Sequence, residues 1–421
     1  MSREMKDSGI EWIGSLPSTW KICKVKNCFV RKNDKAMQED PVILSLARSG
    51  VKIRDISKNE GQIAESYYNY NPVEPGDLLL NPMDLYSGAN CSISEVTGVI
   101  SPAYINLKAK TGVNPRYFDY YFKTQYWAMA FFAHGKGVSF DNRWTMSADS
   151  LLNYYIPLPP VAEQNQIAVF LDKKCFGIDS TMERTRASIE EYKKLKQAVI
   201  TQAVTKGIHK GVEMASSKRE WIRTYPKHWK EIRIKWLLDE RKEHSAEGRE
   251  EPLSMSQKYG LIPTKEMDMV PNMATSFVGA KLAYKGDLVF NKLKAHLGVF
   301  AVSAYDGLVS PDYAVYYATG LANMKYLEYL FKTPQYIAEF KKKSTGVGAG
   351  LTRLYTAGLY SIYCALPPLD EQKEIADYLD RTCSEIDTLI AKKEQYLVEL
   401  ENYKKALIYE YVTGKKEVPE N

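Results

Sequence analysis

The residue types most often used in catalysis occur in this chain without the spacing that catalysis needs. The five histidines are isolated from one another, and the six cysteines form no C-x-x-C pair, so neither a zinc site nor a disulfide framework is indicated. The sequence contains no G-x-x-x-x-G-K-[ST] loop, no G-x-G-x-x-G after a strand, no H-E-x-x-H and no Asn-Pro-Pro-aromatic motif. A glycine-rich stretch at 346–350 lacks a following Lys-Ser/Thr, which favours a turn over a phosphate cradle. We therefore predict that this chain is not an enzyme by itself and binds no metal or cofactor of its own.

The composition indicates a globular protein with more than one domain. A chain of 421 residues exceeds the size at which one hydrophobic core keeps growing, and 45% of its residues are hydrophobic. No run of 18 apolar residues is present and the beginning, MSREMKDSGIEW, is too charged for a signal peptide, so we expect a cytoplasmic protein without membrane contact. A net charge of +6 permits a nucleic-acid partner without demonstrating one.

The chain contains an internal repeat, which is most evident in two Leu-Pro-Pro segments that are each followed by a Glu-Gln pair. Glu163-Gln164 recurs as Glu371-Gln372, 208 residues later, and each pair precedes Ile-Ala-x-x-Leu-Asp. Further landmarks recur at nearly the same offset: Pro17-x-x-Trp20-Lys21 with Pro226-x-x-Trp229-Lys230, Gly76-Asp77 with Gly286-Asp287, Ser101-Pro102-x-Tyr104 with Ser310-Pro311-x-Tyr313, and glycine-rich segments before Arg143 and Arg353. The segments between these landmarks diverge. The pattern predicts two domains that share a frame and differ inside it.

Each Glu-Gln pair begins a long amphipathic helix. Proline ends the preceding extended segment, and Glu163 and Glu371 place negative charge in the first helical turn. Apolar residues then recur at intervals of three, four or seven, which predicts a helix-pairing stripe made of Ile167, Leu171, Ile178, Met182, Ile189, Leu195 and Val199 in the first helix and Ile375, Leu379, Ile386, Leu389, Leu400 and Leu407 in the second. A pseudo-twofold relation between the halves requires the two helices to pair antiparallel. The alternative is that each helix packs only on its own domain.

The predicted fold class is α+β, with two similar domains, two long helices that pair as an antiparallel coiled coil and a pseudo-twofold internal repeat. The predicted ranges are 1–160 and 208–368 for the domains, 161–207 and 369–414 for the helices, and 415–421 for a tail.

The Leu-Pro-Pro-x-x-Glu-Gln segments, the opening Gly9–Trp20, the Gly-Asp turn and the Ser-Pro-x-Tyr segment together resemble the specificity subunits of type I restriction-modification enzymes. The resemblance covers nearly the whole chain. The departures are Lys285, which replaces the proline before Gly286, and a second opening without the Gly-x-Leu part.

The resemblance implies that 1–160 and 208–368 are target-recognition domains that read the two halves of a split, asymmetric sequence in double-stranded DNA. It also implies two methyltransferase subunits, which use S-adenosylmethionine to methylate adenine, and restriction subunits that translocate with ATP and Mg. The chain itself would recognise the DNA sequence without catalysing a reaction.

Residues that could contact DNA are expected among polar and basic loop residues. Arginine can grip guanine with two hydrogen bonds and asparagine can do the same with adenine, whereas lysine more often holds phosphate. The candidates are Arg48, Lys52, Arg54, Asn81, Lys136, Asn142 and Arg143 in the first half and Lys258, Asn291, Lys292, Lys294, Lys343 and Arg353 in the second.

Two other functions remain open on the sequence alone. The chain could be an adaptor that uses its helices for assembly without binding DNA, or a nuclease with a carboxylate site around Asp84 or Asp312.

Overall fold

The chain forms two compact units whose boundaries fall inside the two long helices. A computed structural model describes residues 3–56, 64–83, 85, 90–137, 144–256, 259–268, 276–346 and 352–419. The first unit is Met1–Thr185 with Gln395–Asn421, and the second is Arg186–Glu394. Each unit therefore contains one globular domain, the beginning of one long helix and the end of the other.

The first unit contains short strands and helices before the first long helix. Its strands are β1 (Met5–Asp7), β2 (Ser15–Pro17), β3 (Lys21–Lys24), β4 (Phe29–Lys32), β5 (Leu44–Ala47), β6 (Gly50–Ile53), β7 (Asn71–Val73), β8 (Leu78–Leu80), β9 (Cys91–Ile93), β10 (Gly98–Ile100), β11 (Ile105–Ala109) and β12 (Tyr155–Leu158). Its helices are α1 (Val25–Cys28), α2 (Pro115–Trp127), α3 (Ala130–Ala133), α4 (Ala148–Asn153) and the beginning of α5 (Val161–Lys206).

The second unit repeats this order of elements. Its strands are β13 (Met214–Ser216), β14 (Thr224–Pro226), β15 (Lys230–Arg233), β16 (Leu238–Glu240), β17 (Leu253–Ser256), β18 (Gly260–Pro263), β19 (Lys281–Ala283), β20 (Leu288–Asn291), β21 (Phe300–Val302), β22 (Gly307–Val309), β23 (Tyr313–Ala318), β24 (Thr345–Gly346), β25 (Thr352–Arg353) and β26 (Tyr363–Leu366). Its helices are α6 (Met324–Phe331), α7 (Pro334–Lys343), α8 (Thr356–Tyr360) and α9 (Leu369–Val412), and 3-10 turns occupy Ile234–Trp236, Thr264–Glu266 and Ala295–Leu297.

The strand pairing of the two units corresponds, except that the β24–β25 pair of the second unit has, among the described residues, only the Lys136–Thr145 bridge as its counterpart in the first. A four-stranded antiparallel sheet has the order β4-β11-β8-β9 in the first unit and β16-β23-β20-β21 in the second. The two-stranded pairs also correspond: β1 with β2 and β13 with β14, β3 with β12 and β15 with β26, β5 with β6 and β17 with β18, and β7 with β10 and β19 with β22. The predicted α+β class with an internal repeat and two long helices is confirmed.

The Gly-Asp landmark is the turn that begins the central strand of each sheet. Gly76 and Gly286 have φ of 92° and 93°, a left-handed conformation that glycine adopts without a Cβ penalty. The Asp77 and Asp287 side chains accept the backbone N–H groups of Glu74 and Tyr284 at 2.9 Å and 2.8 Å, which closes the turn. The apolar strands β8 and β20 follow, buried at Leu78–Leu80 and Leu288–Phe290. The turn therefore fixes the start of each buried strand.

Helices α5 and α9 run antiparallel to each other in both units. In the first unit Lys404 donates to Asp179 at 2.7 Å, and in the second Lys196 donates to Asp387 at 2.6 Å. From the first ion pair to the second, the position on α5 increases by 17 residues, from Asp179 to Lys196. The position on α9 decreases by 17, from Lys404 to Asp387, as antiparallel pairing requires. The predicted stripe is buried at Ile167, Leu171, Met182, Ile189, Ile375, Leu379, Ile386 and Leu407, and half-buried at Ile178, Val199 and Leu400.

Two residues of the predicted stripe lie outside it. Leu195 is 49% exposed and Leu389 is 42% exposed, while their neighbours Lys196 and Ile390 are less exposed. Lys196 can occupy the stripe because its apolar stem packs while its amino group reaches Asp387. The prediction of Leu195 and Leu389 as helix-pairing residues is therefore corrected, with Lys196 in place of Leu195 and the less exposed Ile390 in place of Leu389.

The long helices also pack on the domains, so helix pairing and packing on a domain occur together, and the alternative that each helix packs only on its own domain does not hold. In the first unit, Ile167 and Leu171 of α5 share a core cluster with Leu407, Ile408 and Val412 of α9 and with the aromatic residues of α2. In the second unit, a cluster of the same kind joins the start of α9 to the end of α5 through Ile375, Leu379, Ile200, Ala203 and Val204. Each globular domain therefore packs on the beginning of one long helix and the end of the other.

The Glu-Gln landmark ties the start of each long helix to the domain beside it. Gln164 accepts the backbone N–H of Asn114 at 2.9 Å and donates to the Pro159 carbonyl at 2.9 Å. Gln372 accepts the backbone N–H of Asn323 at 2.8 Å and donates to the carbonyls of Pro367 and Leu321 at 2.9 Å and 3.1 Å. Asn114 and Asn323 are the N-cap residues of α2 and α6. One buried glutamine thus connects two helices and the Pro-Pro segment.

The Pro-x-x-Trp landmark meets the same helix end. Trp20 donates from its indole N–H to Glu163 at 2.8 Å, and Trp229 donates to Glu371 at 3.1 Å. The far ends of the long helices are also bonded, because the hydroxyl of Tyr117 donates to the Val412 carbonyl at 2.7 Å and that of Tyr326 donates to the Val204 carbonyl at 3.1 Å. The sequence landmarks are therefore the contacts that join helices to domains. Within the described ranges, no helix combines the length and apolar character needed to cross a membrane.

Replacing Gln372 with alanine is expected to lower the free energy of unfolding of the second unit by about 3 kcal/mol, because one N–H and two carbonyls lose their partner in a buried site. Urea unfolding followed by tryptophan fluorescence measures the change. Lys392→Ala provides the control, since Lys392 is exposed on the part of α9 that belongs to the second unit and its replacement should change stability by less than about 0.5 kcal/mol. Equal effects of the two substitutions would contradict the assigned role.

Candidate nucleic-acid interface

The Ser-Pro-x-Tyr segment forms the same turn in both units. In the second unit the Asp312 N–H donates to the Ser310 hydroxyl at 3.3 Å, and the Tyr313 N–H donates to the Ser310 carbonyl at 2.9 Å. In the first unit the Ala103 N–H donates to the Ser101 hydroxyl at 3.3 Å, and the Tyr104 N–H donates to the Ser101 carbonyl at 3.0 Å. Proline at the second position suits such a turn because its φ is already fixed. The turn precedes the central strands β11 and β23.

The two predicted asparagines at the ends of β8 and β20 shape loops. The Asn81 side-chain oxygen accepts the backbone N–H of Met83 at 2.9 Å, and that of Asn291 accepts the N–H of Leu293 at 3.1 Å. An asparagine that reads adenine must accept a hydrogen bond from the base with this same oxygen. Asn81 is also only 7% exposed. Both side chains therefore shape their own loops, and the assignment of Asn81 and Asn291 as DNA-contacting residues stays a prediction.

Three cations of the second unit converge on the turn at Ser310–Tyr313. Lys281 donates to the Tyr313 carbonyl at 2.9 Å, and Lys292 donates to the Pro311 carbonyl at 3.2 Å. The guanidinium of Arg353 donates to the Asp312 carboxylate at 2.7 Å. Three positive side chains thus contact three consecutive residues. We call Lys281, Lys292 and Arg353 the cation cluster.

The backbone brings Lys292 and Arg353 together although they are far apart in the sequence. The N–H of Leu354 donates to the Lys292 carbonyl at 3.0 Å, and the N–H of Lys292 donates to the Asp312 carbonyl at 3.3 Å. Arg353 itself is placed by the β24–β25 pair, in which it faces Thr345. Both residues are sequence candidates. Lys281 was missed, because its place beside the turn follows from the pairing of β19 with β22, which the sequence does not reveal.

The surroundings of Lys292, the central lysine of the cation cluster, disfavour its charged form. Burial lowers the pKa of Lys292, and the positive charges of Lys281 and Arg353 lower it further, against the opposing effect of the Asp312 and Glu240 carboxylates. The Nε of Arg353 is buried and makes no hydrogen bond with any described residue. The cluster therefore holds more positive charge, and more donor capacity, than its protein neighbours use.

The first unit has no charge at the equivalent positions. Asn71 begins β7 and faces Ile100, as Lys281 begins β19 and faces Val309. The Pro82 carbonyl accepts the N–H of Met146 at 2.9 Å, as the Lys292 carbonyl accepts that of Leu354 at 3.0 Å.

The remaining equivalence corrects the alignment read from the sequence. Thr145 pairs with Lys136 in an antiparallel bridge, as Arg353 pairs with Thr345. The hydrogen bonds therefore match Thr145, and not Arg143, with Arg353.

The other candidates lie in hairpins and loops. Arg48, Lys52 and Arg54 belong to the β5–β6 hairpin and its ends, with Arg48 and Lys52 exposed and Arg54 half-buried. Lys136, Lys294 and Lys343 are exposed, at a bridge beside residues 138–143, before the 3-10 turn Ala295–Leu297, and at the end of α7. Asn142, Arg143, Lys258 and the carboxylate candidate Asp84 lie outside the described residues. The structure thus groups Arg48, Lys52 and Arg54 in one hairpin and Lys292 with Arg353 at one turn.

A carboxylate site for nuclease chemistry does not form around the other suggested residue. Asp312 is paired with Arg353. Over the described ranges, no group of three or more His, Cys, Asp or Glu side chains could hold a metal ion.

Comparisons with known proteins agree on one family. Residues 257–399 match the family model described as type I restriction modification DNA specificity domain. The chain is 23% identical over 362 residues to the MjaVIII specificity subunit of Methanocaldococcus jannaschii, which covers 82% of this chain and 80% of that protein. It is 25% identical over 255 residues to the EcoBI specificity subunit of Escherichia coli, where the match covers 56% of this chain but half the length of the relative.

Solved structures show the same fold. A chain from a type I restriction-modification system superposes with a TM-score of 0.70 at 15% identity, covering 95% of this chain and 99% of that one. The HsdS subunit from Thermoanaerobacter tengcongensis superposes with a TM-score of 0.54 at 15% identity, covering 97% of this chain and 100% of that one. Together with the duplicated frame and its two antiparallel helices, these matches show that the chain resembles the specificity subunits of type I restriction-modification enzymes.

Proposed function

We propose that the chain is the sequence-specific DNA-binding subunit of a type I restriction-modification complex. The first unit reads one half of a split, asymmetric target in double-stranded DNA, and the second unit reads the other half. Partner subunits then methylate adenine in, or restrict DNA that carries, the recognition sequence that this chain selects.

The observation that carries the proposal is that the two units share one backbone arrangement but have different sets of charged residues on it. Both units make the same turn, the same sheet order and the same helix contacts. The first unit places Arg48 and Lys52, both exposed, on its β5–β6 hairpin, and the second places three cations at the Ser310–Tyr313 turn. A repeated scaffold with different surface residues suits the recognition of two different half-sites.

The partners follow from the duplication of the helix joints. Because each unit repeats the same connection between a globular domain and the long helices, a partner that binds one unit has an equivalent surface on the other. We propose two methyltransferase subunits, which use S-adenosylmethionine, and restriction translocase subunits, which use ATP and Mg, all in the cytoplasm. The lengths of α5 and α9 are proposed to set the number of base pairs between the half-sites.

Mapping methylated adenines in the DNA of cells with and without this chain tests the function. With the methyltransferase subunit present in both strains, we expect one bipartite, asymmetric motif to be methylated only when the chain is present. An unchanged methylation pattern would exclude the proposal. DNA binding by the purified complex that weakens steeply with salt separates a DNA-reading subunit from an adaptor that does not contact DNA.

A further inference from the structure

The cation cluster is not needed to form the turn that it contacts. The first unit makes the same two hydrogen bonds within its Ser-Pro-x-Tyr turn, at 3.3 Å and 3.0 Å, although Asn71, Pro82 and Thr145 stand where the second unit has Lys281, Lys292 and Arg353. Asp312 likewise corresponds to Ala103 in the first turn. The chain therefore contains its own control, and the positive charges require another explanation than folding.

The arrangement is also electrostatically costly in the absence of an anion. Three cations lie at one turn, and the carboxylates that act on the central lysine are Asp312 and Glu240. Glu240 accepts a hydrogen bond from Thr356 at 2.7 Å, so it is held in place by another group. Like charges gathered around a partly buried lysine are more typical of a binding site than of a structural ion pair.

We propose that Lys281, Lys292 and Arg353 bind one phosphate group of the DNA backbone in the half-site read by the second unit. This inference rests on the proposed function. Asp312 is a positioning residue in this arrangement, because its carboxylate holds the guanidinium of Arg353 at the turn. At the three equivalent positions of the first unit, the described residues Asn71, Pro82 and Thr145 carry no charge.

The donors at this turn suit a phosphate group. One terminal nitrogen of Arg353 donates to Asp312, which holds the guanidinium beside the turn that Lys281 and Lys292 also contact. A phosphate needs only positive charge and single donors, which Lys281, Lys292 and the remaining N–H groups of Arg353 supply.

The salt dependence of DNA binding tests the assignment. The full chain in complex with its methyltransferase subunits is titrated with cognate and non-cognate duplexes at several salt concentrations. For the double variant Lys292→Met/Arg353→Met, we expect the slope of log K against log salt to become shallower by about 0.9, the value of one phosphate contact. Affinity at 0.15 M salt should fall about fivefold for both duplexes alike.

The control is Lys332→Met, which removes one positive charge of the same unit just after the end of α6, where Lys332 pairs with Glu328. Its slope should equal that of the wild type. A change of sequence preference at an unchanged slope in the double variant would assign Arg353 to a base and overturn the inference. If the slope of log K against log salt equals the wild-type slope in every variant, the phosphate contact is overturned and the proposed function stands. If the wild-type complex does not bind DNA, the phosphate contact and the proposed function are both overturned.

A second measurement detects the site without DNA. Inorganic phosphate, compared with chloride at equal ionic strength, should raise the unfolding temperature of the wild-type chain and have a smaller effect on the double variant. Equal shifts in the two proteins would contradict a phosphate site at the cation cluster. The unfolding temperatures without phosphate show in the same experiment whether the double variant is folded.

Discussion

Replacing Asp287 with alanine should lower the free energy of unfolding of the second unit by about 3 to 5 kcal/mol, the cost of removing one partner from a buried ion pair. Asp287 accepts two hydrogen bonds from Arg241, at 2.7 Å and 3.0 Å, and is only 3% exposed. The Arg241 guanidinium also contacts the rings of Tyr284 and Tyr317, at 4.6 Å and 4.9 Å from their centroids. Without Asp287, this cation would lose its main counter-ion in a place where water cannot fully replace it.

Urea unfolding measures the loss, since urea does not screen the ion pair as an ionic denaturant would. Asp287→Asn keeps an oxygen for the Tyr284 N–H and should therefore cost less than alanine. In the double variant Arg241→Met/Asp287→Ala, the total loss should be smaller than the sum of the two single losses, because neither charge is left alone. A loss below about 1 kcal/mol for Asp287→Ala would show that solvent screens the pair as it screens a surface salt bridge.

The same substitution should also affect the residues proposed to contact DNA, because the sheet connects them to Asp287. Asp287 closes the turn that begins β20, and β20 ends at Asn291, directly before Lys292 of the cation cluster. If the start of the strand shifts, the Lys292 backbone that bonds Leu354 and Asp312 shifts with it. The Gly-Asp landmark thus connects stability of the sheet with the geometry of the proposed phosphate site.

The sequence predicted the repeat and its joints because those features depend on local chemistry. Proline pairs end strands wherever they occur, and a glutamate in a first helical turn is favoured by the helix dipole. The Gly-Asp turns needed a left-handed glycine followed by a capping carboxylate, which is a short-range pattern. These features were therefore visible without knowledge of the packing.

The predicted helix stripe failed where tertiary contacts decided between two acceptable spacings. After Tyr192, a step of three residues leads to Leu195 and a step of four leads to Lys196. Apolar character favoured Leu195, but the acidic partner Asp387 on α9 favours Lys196. The sequence of one helix does not contain the position of its partner, so the choice could not be made in advance.

The candidate site could be predicted by residue type but not by assembly. Lys292 and Arg353 were proposed as DNA contacts from their residue types, whereas their meeting depends on the hydrogen bond from the Leu354 N–H to the Lys292 carbonyl. Lys281 carried no sequence signal, since a lysine at the start of a strand is ordinarily exposed. Asn81 and Asn291 had the right chemistry for adenine, but a residue of this type also commonly closes its own turn, as both do here.

Replacing Gly414 with alanine should lower the free energy of unfolding of the first unit by about 4 kcal/mol, through backbone strain of about 1–2 kcal/mol and overpacking of about 1–3 kcal/mol. Gly414 follows the last turn of α9 with φ of 71°, where a Cβ is disfavoured. A Cβ at this position would lie 2.4 Å from Cγ of Pro17 and 3.0 Å from the ring of Trp20. The proline ring is rigid, and Trp20 is fully buried and bonded to Glu163, so neither can move away easily.

Gly207→Ala is the matched control, because Gly207 ends α5 with nearly the same φ of 77° but faces looser surroundings. Its nearest atom would be Oε1 of Glu371 at 3.3 Å, followed by the ring of Trp229 at 3.6 Å. Only the backbone strain of about 1–2 kcal/mol should then remain. The difference between the two substitutions, read from urea unfolding of the full chain, isolates the packing of Pro17 and Trp20 on the end of α9. Equal losses of free energy for the two substitutions would mean that Pro17 and Trp20 do not stabilise the end of α9. The Pro-x-x-Trp segment would then stabilise only the globular domain that contains it.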